Sequence, residues 1–378
     1  MAPRALPVLP PGRPPRPATW YRLSPRGERP RGRVGHGCLF VPGGPGRVLL
    51  LGGADAAGAF ADAYFVELGP LRWAAAGWRG LRPRYEHATA LPAARPPRLW
   101  VFGGAHRAGN RGCVQVLDPE TGCWESPEVT GVQPLPRTFH TSSAVVGDRL
   151  YVFGGGERGA EPVRDRQLHV FDTATLTWSQ PDVHGDPPSP RQGHVVAAVG
   201  TKLFIHGGLA GDIFYNDLFC IDINDLKWVK ISATGDVPGG RAAHSSAVFK
   251  DHLYIFGGIN PDGALDTTYK YHIEKQQWTL LQFDSPLPPG RLDHSMCVIP
   301  WRASAGSENE DSNTEAVTCE DKTGKGATVS VSDTAASPQK SQKEKAGAED
   351  TVMHLLLIFG GMNTQGEIHR DCIVSLIE

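Results

Sequence analysis

The sequence has no excess of charge of either sign: 38 basic residues stand against 40 acidic ones in 378, a formal net charge of −2. Nucleic acid and anionic membrane are normally held by a basic face or stripe, so any such contact here has to be local, and nucleic acid is not an expected partner. No Cys-x-x-Cys pair occurs among the seven cysteines at 38, 113, 123, 220, 297, 319 and 372. That spacing argues against a zinc site, and the odd total argues against a full disulfide framework. Reduced, cytoplasmic thiols fit the pattern. No stretch reaches eighteen uninterrupted apolar residues, and the opening MAPRALPVLPPGRPPRP places proline and arginine where a signal peptide needs an apolar run. Membrane association is therefore expected to be peripheral and partner-mediated.

What the sequence has instead is repetition, which decides the fold before any motif is considered. A Gly-Gly pair ends an apolar run six times: VLLLGG (Gly52, Gly53), LWVFGG (Gly103, Gly104), LYVFGG (Gly154, Gly155), LFIHGG (Gly207, Gly208), LYIFGG (Gly257, Gly258) and LLIFGG (Gly360, Gly361). Ahead of each pair stands an Arg-x-x-His element, from Arg33 with His36 to Arg291 with His294, in steps of 51, 53, 54, 50 and 50 residues. A tryptophan follows the second glycine by 20 residues at Trp73, Trp124, Trp228 and Trp278, and by 23 at Trp178. The sixth unit has none after it, whereas Trp20 stands near the start with no unit before it.

Each unit reads as four short strands. The segment after the histidine, such as HTSSAVVG, alternates as a first strand, and the apolar run into Gly-Gly is a buried second. A third strand follows, as in QLHVFD or DLFCID, and a tight turn such as DTAT or DIND leads to a fourth that carries the tryptophan. Gly-Gly suits a sharp backbone turn near a crowded axis, since a residue without Cβ tolerates positive φ and close approach. These residues resemble the Kelch family, whose blades carry the Gly-Gly, an aromatic several residues ahead of the tryptophan, and the tryptophan itself. The resemblance implies an all-β, six-bladed β-propeller with four antiparallel strands per blade. Without residues 1–17 and 302–351 the chain gives about 52 residues per unit, close to the Kelch repeat length. Because DCIVSLIE is the only strand after Gly361, residues 18–24 are expected to supply the fourth strand of blade six and close the ring, leaving no open sheet edge.

Two segments stand apart from the repeats. Residues 1–17 are expected to form a flexible Pro/Arg-rich tail, and the first 33 residues carry eight arginines against one glutamate. Residues 302–351 hold 6 basic and 10 acidic residues and almost no aromatics. This insertion between the first and second strands of blade six is expected to be disordered, with Ser337-Pro338 a candidate phosphorylation site.

The chemical motifs are weaker than the repeat. Gly154 to Gly159 matches G-x-G-x-x-G after a strand, but a dinucleotide site needs a helix next and the chain continues through Pro162 into another strand. Six histidines at one blade position form a ring, whereas a metal needs three or four ligands converging within about 2.3 Å, so hydrogen bonding is the expected role. Ser142 and Ser143 beside His140 lack a nucleophile elbow and an orienting acid. The Tyr, Cys and His set of the copper-radical Kelch oxidases is not evident either. No catalytic residue, cofactor or metal is expected, and the chain reads as a non-enzymatic binding scaffold.

In an antiparallel blade the loop after Gly-Gly and the loop to the next blade share a face, and rigid scaffolds commonly bind through such loops. The distinctive residues there are Asn110 and Arg111, then Glu157, Arg158 and Arg164 in a three-residue-longer loop, then Asp212, Phe214 and Tyr215. Charged and aromatic groups of this kind anchor interfaces. Within the Kelch family, PRYEHA (83–88), PRTFHTSSA (136–144), LYVFGGGERGA (150–160), GTKLFIHGGLAGD (200–212) and LPPGRLDHSMC (287–297) resemble the Kelch-repeat Rab effectors. That resemblance implies a GTP-bound Rab GTPase of late endosomes as partner, a phosphoinositide kinase as a further one, and transport from endosomes to the trans-Golgi network. The alternative is a substrate receptor of a cullin-type ubiquitin ligase, which normally carries a cullin-linking module that is not evident here.

Overall fold

The computed structural model describes residues 5–139, 144–304 and 351–377. His140, Ser142, Ser143, Ser337 and most of the 302–351 insertion lie outside the described residues. The alternating segments form strands where the pattern predicts them. In blade four, Val195–Val199 pairs with Lys202–His206, that strand with Leu218–Asp222, and that in turn with Trp228–Lys230, all antiparallel. The turns between third and fourth strands are built by aspartate: Asp118, Asp172 and Asp222 each accept a backbone N–H two residues on, at 3.0 Å. Six such sheets succeed one another, those of blades three and five with a short fifth strand, Thr130–Gly131 or Thr234–Gly235, added in parallel to the fourth, and the described residues contain no helix. The fold is the six-bladed β-propeller that the repeats imply.

Blade six closes the ring with the two ends of the chain. Trp20–Leu23 pairs antiparallel with Cys372–Leu376, in register from Trp20 opposite Ser375 to Leu23 opposite Cys372. Trp20 is fully buried and packs against Phe256 of blade five at 5.5 Å between ring centroids. The same wedge recurs around the ring, each tryptophan meeting the residue before Gly-Gly of the preceding blade: Trp178 with Phe102 at 4.8 Å, Trp228 with Phe153 at 5.4 Å and Trp73 with Phe359 at 5.5 Å. Where blade one has Leu51 in place of the aromatic, Trp124 shares an apolar cluster with that leucine. Aromatic pairs of this kind contribute about 0.5–1.5 kcal/mol beyond the area they bury.

The Arg-x-x-His element is the second fastening. The six arginines are at most 3% exposed. Each donates from Nε to the carbonyl two residues before it, at 3.1–3.2 Å, and from Nη1 to the carbonyl of its own blade's first glycine, at 2.9–3.1 Å. Its own carbonyl accepts the N–H of the preceding blade's second glycine, at 2.8–2.9 Å, the last of these bonds running from Gly361 back to Arg33. The glycines are required for this approach. A Cβ on Gly52, at φ +63°, would lie 2.8 Å from both the Arg84 carbonyl oxygen and the His87 ring.

Residues 5–17 correct the expectation of a flexible tail. Leu9 donates its N–H to Arg22 O at 3.0 Å, Arg22 donates to Pro7 O at 2.8 Å, and Val8 bridges Arg22 in parallel, so this segment covers the outer strand of blade six. Leu9 is 1% exposed and joins a cluster with Tyr21, Leu71 and Trp301. A proline-rich segment already favours an extended backbone, so laying it along a strand orders it cheaply. The insertion boundaries move inward as well. The flanking strands are Ser295–Ala303 and Thr351–Phe359, nine residues each, so positions 302, 303 and 351 belong to the sheet. Trp301 Nε1 donates to Arg13 O at 2.9 Å and Ser304 N–H to Gly12 O at 2.9 Å, which fixes the root of the insertion to the N-terminal segment.

Leu9→Ala is expected to destabilise the protein by about 2–4 kcal/mol, the cost of truncating a buried leucine. Deleting residues 1–14 should lower the melting temperature further. Calorimetry of the two variants checks this, and a neutral Leu9→Ala would show that the segment does not brace blade six.

Candidate functional site

Beyond the Gly-Gly pairs of blades one to five the chain makes a short two-stranded hairpin. Five of them are formed: Ala54–Asp55 with Gly58–Ala59, Ala105–His106 with Gly109–Asn110, Gly156–Arg158 with Glu161–Pro162, Leu209–Ala210 with Ile213–Phe214, and Ile259–Asn260 with Gly263–Ala264. The G-x-G-x-x-G string thus runs into a hairpin and not a helix. All five rise from the same face of the propeller, because each follows the end of a second strand.

Side chains and backbone join three of these hairpins into one surface. Asn110 Nδ2 donates to Gly156 O at 3.2 Å and to Glu157 O at 3.0 Å, tying blade two to blade three. Gly211 N–H donates to Ala160 O at 3.1 Å and Gln192 Nε2 to Gly159 O at 2.7 Å, tying blade four to blade three. Of the residues singled out from the sequence, Glu157, Arg158, Arg164 and Asp212 are exposed. Asn110 and Arg111 are half-buried, and Arg111 Nε donates to Pro83 O at 3.1 Å, so both also hold loops together. Phe214 is half-buried opposite Leu209. Tyr215 lies under the Arg191 guanidinium, 4.1 Å from its ring centroid, so it belongs to the buried arginine network of blade four.

Ile213 escaped the sequence reading. It is 58% exposed at the hairpin tip beside Asp212. The signal was present in Gly211-Asp212, a two-residue turn between paired Ala210 and Ile213.

The mouth of the axial channel opens on this face and is ringed by the residues just before the repeated histidines. Gly35, Glu86, Phe139, Gly193, Ala243 and Asp293 all adopt φ between +52° and +65°. Their backbones hydrogen-bond in sequence round the axis: Glu86 N–H to Gly35 O, Gly35 to Asp293, Asp293 to Ala243, Ala243 to Gly193 and Gly193 to Phe139, at 2.6–3.2 Å. The channel behind has a volume of about 340 Å³ and is lined in part by His36, His194, His244 and His294. These imidazoles bond to the protein. His194 Nε2 donates to Phe153 O at 2.8 Å, His294 Nε2 to Phe256 O at 3.1 Å, His244 pairs with His206 at 3.0 Å, and His36 pairs with Ser295. Burial and the neighbouring arginines hold His36, His206, His244 and His294 neutral, with His206 and His294 lowered to about 3. Two acids sit in the ring on either side of Gly35. Burial pushes Glu86 up to about 7, against hydrogen bonds from Thr138 and the Phe139 N–H, and burial together with the Glu86 charge pushes Asp293 well up. Sequence reasoning missed this pair, although both acids occupy the same blade position.

Three overlapping matches, to residues 16–158, 45–258 and 93–305, fit the family described as KLHDC2/KLHL20/DRC7 Kelch-repeats domain. The chain belongs to the Kelch-repeat family. It is similar over its whole length to the Gallus gallus protein named Rab9 effector protein with kelch motifs, with 77% identity over 378 residues and full coverage of both chains. The Bos taurus and Homo sapiens proteins of the same name are 61% and 57% identical over 379 residues, covering 99% of this chain and 100% of each relative. In this Kelch propeller the hairpins of blades two to four form a hydrogen-bonded set that carries exposed charged and apolar groups on the channel face. Their foundations are the arginine and glycine bonds common to every blade.

Two outcomes follow from this geometry. Tyr215→Ala is expected to cost about 1–3 kcal/mol of stability, whereas Glu157→Ala on the exposed hairpin should cost less than about 0.5 kcal/mol, as denaturant titration would measure. Glu86 is easier to protonate in the folded state than at its ordinary value of 4.5. Its contribution to stability is therefore fully present below about 4.5 and lost as pH rises through about 7. Glu86→Gln should accordingly raise the melting temperature at pH 8 more than at pH 5, and an equal shift at both would show that the carboxyl is not perturbed.

Proposed function

We propose that this propeller is a non-enzymatic Rab effector that recognises the GTP-bound form of a late-endosomal Rab through the hairpin face of blades two to four. The observation that carries the reading is full-length identity of 57–77% to proteins named Rab9 effector protein with kelch motifs. The hairpin face supports it, because it offers a rigid platform with an apolar tip at Ile213 and Phe214 and a charged border of Glu157, Arg158 and Asp212. A central apolar anchor within a polar rim is the usual anatomy of an interface. An effector that senses nucleotide state touches the switch segments that γ-phosphate and Mg²⁺ hold in order, so binding should need GTP. On this reading the protein works in the cytoplasm and at endosome membranes, reached through its partner, in transport from endosomes to the trans-Golgi network. A phosphoinositide kinase is the further partner that the same reading implies.

The test is a pull-down of a panel of Rab proteins, each loaded with GTP or GDP, by the full chain and its variants. One late-endosomal Rab is expected to bind in the GTP form alone. Ile213→Asp and Phe214→Ala should weaken that binding by about 1–3 kcal/mol, while Lys227→Ala in a turn of the opposite face should not. Unchanged binding by both hairpin variants would move the interface elsewhere, and no binding by any Rab would end the effector reading.

A further inference from the structure

The face opposite the hairpins carries a cluster of side chains that neither the fold nor the proposed interface uses. Asp251 and His252 lie at the turn between the first two strands of blade five, Ser245–Phe249 and His252–Phe256, and His272 ends the third strand, Thr268–His272. The register places His252 directly opposite His272. Their rings are 4.7 Å apart at 67°, and the two imidazoles aim different nitrogens at the same carboxylate: His252 Nδ1 is 2.7 Å from one oxygen of Asp251 and His272 Nε2 is 3.3 Å from the other. One ligand atom from each of the three residues lies within 4.8 Å of the other two.

We propose that Asp251, His252 and His272 form a binding site for a divalent transition-metal ion of the zinc class. A tetrahedral ion bound at about 2.0–2.2 Å holds its ligand atoms roughly 3.4 Å apart, so small side-chain rotations bring this cluster to binding geometry. Two imidazoles with one carboxylate suit zinc, nickel or copper and disfavour magnesium and calcium, which take oxygen ligands. Cross-strand pairing supplies the rigidity, since the two histidines are held by the ladder of a sheet and not by a loop. Binding has a defined cost. His272 Nδ1 accepts the Lys275 N–H at 3.3 Å, and coordination through Nε2 moves the ring proton to Nδ1, so that bond opens and the turn at 273–276 must adjust. Three protein ligands leave one position on the ion open. Its place is next to blade six on the face where the long hairpin emerges, and Phe249 of the same turn stacks on His354 of that hairpin at 4.4 Å. An ion here is positioned to take its last ligand from solvent or from a group docking at that face.

Isothermal titration of zinc chloride and magnesium chloride into the full chain tests the site, with His252→Ala, His272→Ala and Asp251→Asn as variants. The parent is expected to bind a zinc equivalent for which each histidine variant loses at least about tenfold in affinity, and magnesium should give no saturable binding. Zinc should also raise the melting temperature of the parent and not of His272→Ala. Asp251→Asn keeps the shape of the turn and should bind more weakly than the parent, so a loss in all three variants is not a folding defect. Equal zinc affinity in the parent and both histidine variants, or no zinc binding by the parent, overturns the proposal.

Discussion

A guanidinium buried at the root of every blade joins three pieces of chain that would otherwise be separate: the connection entering the blade, the Gly-Gly turn, and the start of the third strand. Burying a cation is costly unless its donors are matched, and arginine alone offers a planar fork of five donors that can reach two carbonyls and an acid at once. In four blades the acid is Asp62, Asp165, Asp217 or Asp371. Blade two replaces it with Gln115 and Cys113, and blade five with Thr267. In those two blades burial lowers the pKa of the arginine, Arg84 or Arg241, because no carboxylate there offsets the desolvation. Lysine could not reproduce this pattern at any of the six positions, since its three donors sit on one nitrogen whereas the two carbonyls are bonded from separate nitrogens of the guanidinium, Nε and Nη1.

This fastening gives the hairpins of the proposed interface a fixed base. They grow from glycines whose position is fixed on one side by the arginine of their own blade and on the other by the backbone of the next. Their tips are free to vary while their bases are not, which is the usual division between a scaffold and the loops it presents. Around the channel mouth the same constraint forces six residues into the left-handed region, and the chain meets it with glycine at only Gly35 and Gly193. Those two gaps are used. A Cβ on Gly35 would lie 2.9 Å from the Glu86 side chain, and one on Gly193 would lie 3.2 Å from the Phe139 ring, so each glycine makes room for its neighbour over the opening.

The architecture was readable because its determinants recur. Six Gly-Gly pairs, six Arg-x-x-His elements and a tryptophan displaced to the start specify the blade count and the closure without any tertiary information. The parts that escaped are those where composition speaks against local context. Prolines and arginines in residues 5–17 suggested a solvated tail, but the burial of Leu9, the backbone bonds with Arg22 and the bonds from Trp301 and Ser304 lay the segment on blade six. Tyr215 has the composition of an interface anchor, yet it is the platform for Arg191. Ile213 is an aliphatic residue in a short strand, and only the two-residue turn beside it places it at a tip. Glu86 and Asp293 are 207 residues apart in the chain. Their proximity becomes visible once the repeat is wound into a ring.

Closing the ring with both ends of the chain also sets a schedule. Thr19 O accepts the Ser375 hydroxyl across a separation of 356 residues. At the usual synthesis rate of about 5–20 residues per second, the N-terminal strand waits roughly 18–70 s on the ribosome before its partner strand exists. Throughout that interval blades one to five can assemble in order, each laid against the one before, while the hydrophobic strand around Trp20 and Tyr21 has no sheet to join. The pairing that closes blade six therefore cannot form until Cys372–Leu376 has been made. For that period the growing chain carries an adhesive edge that a chaperone would have to shield.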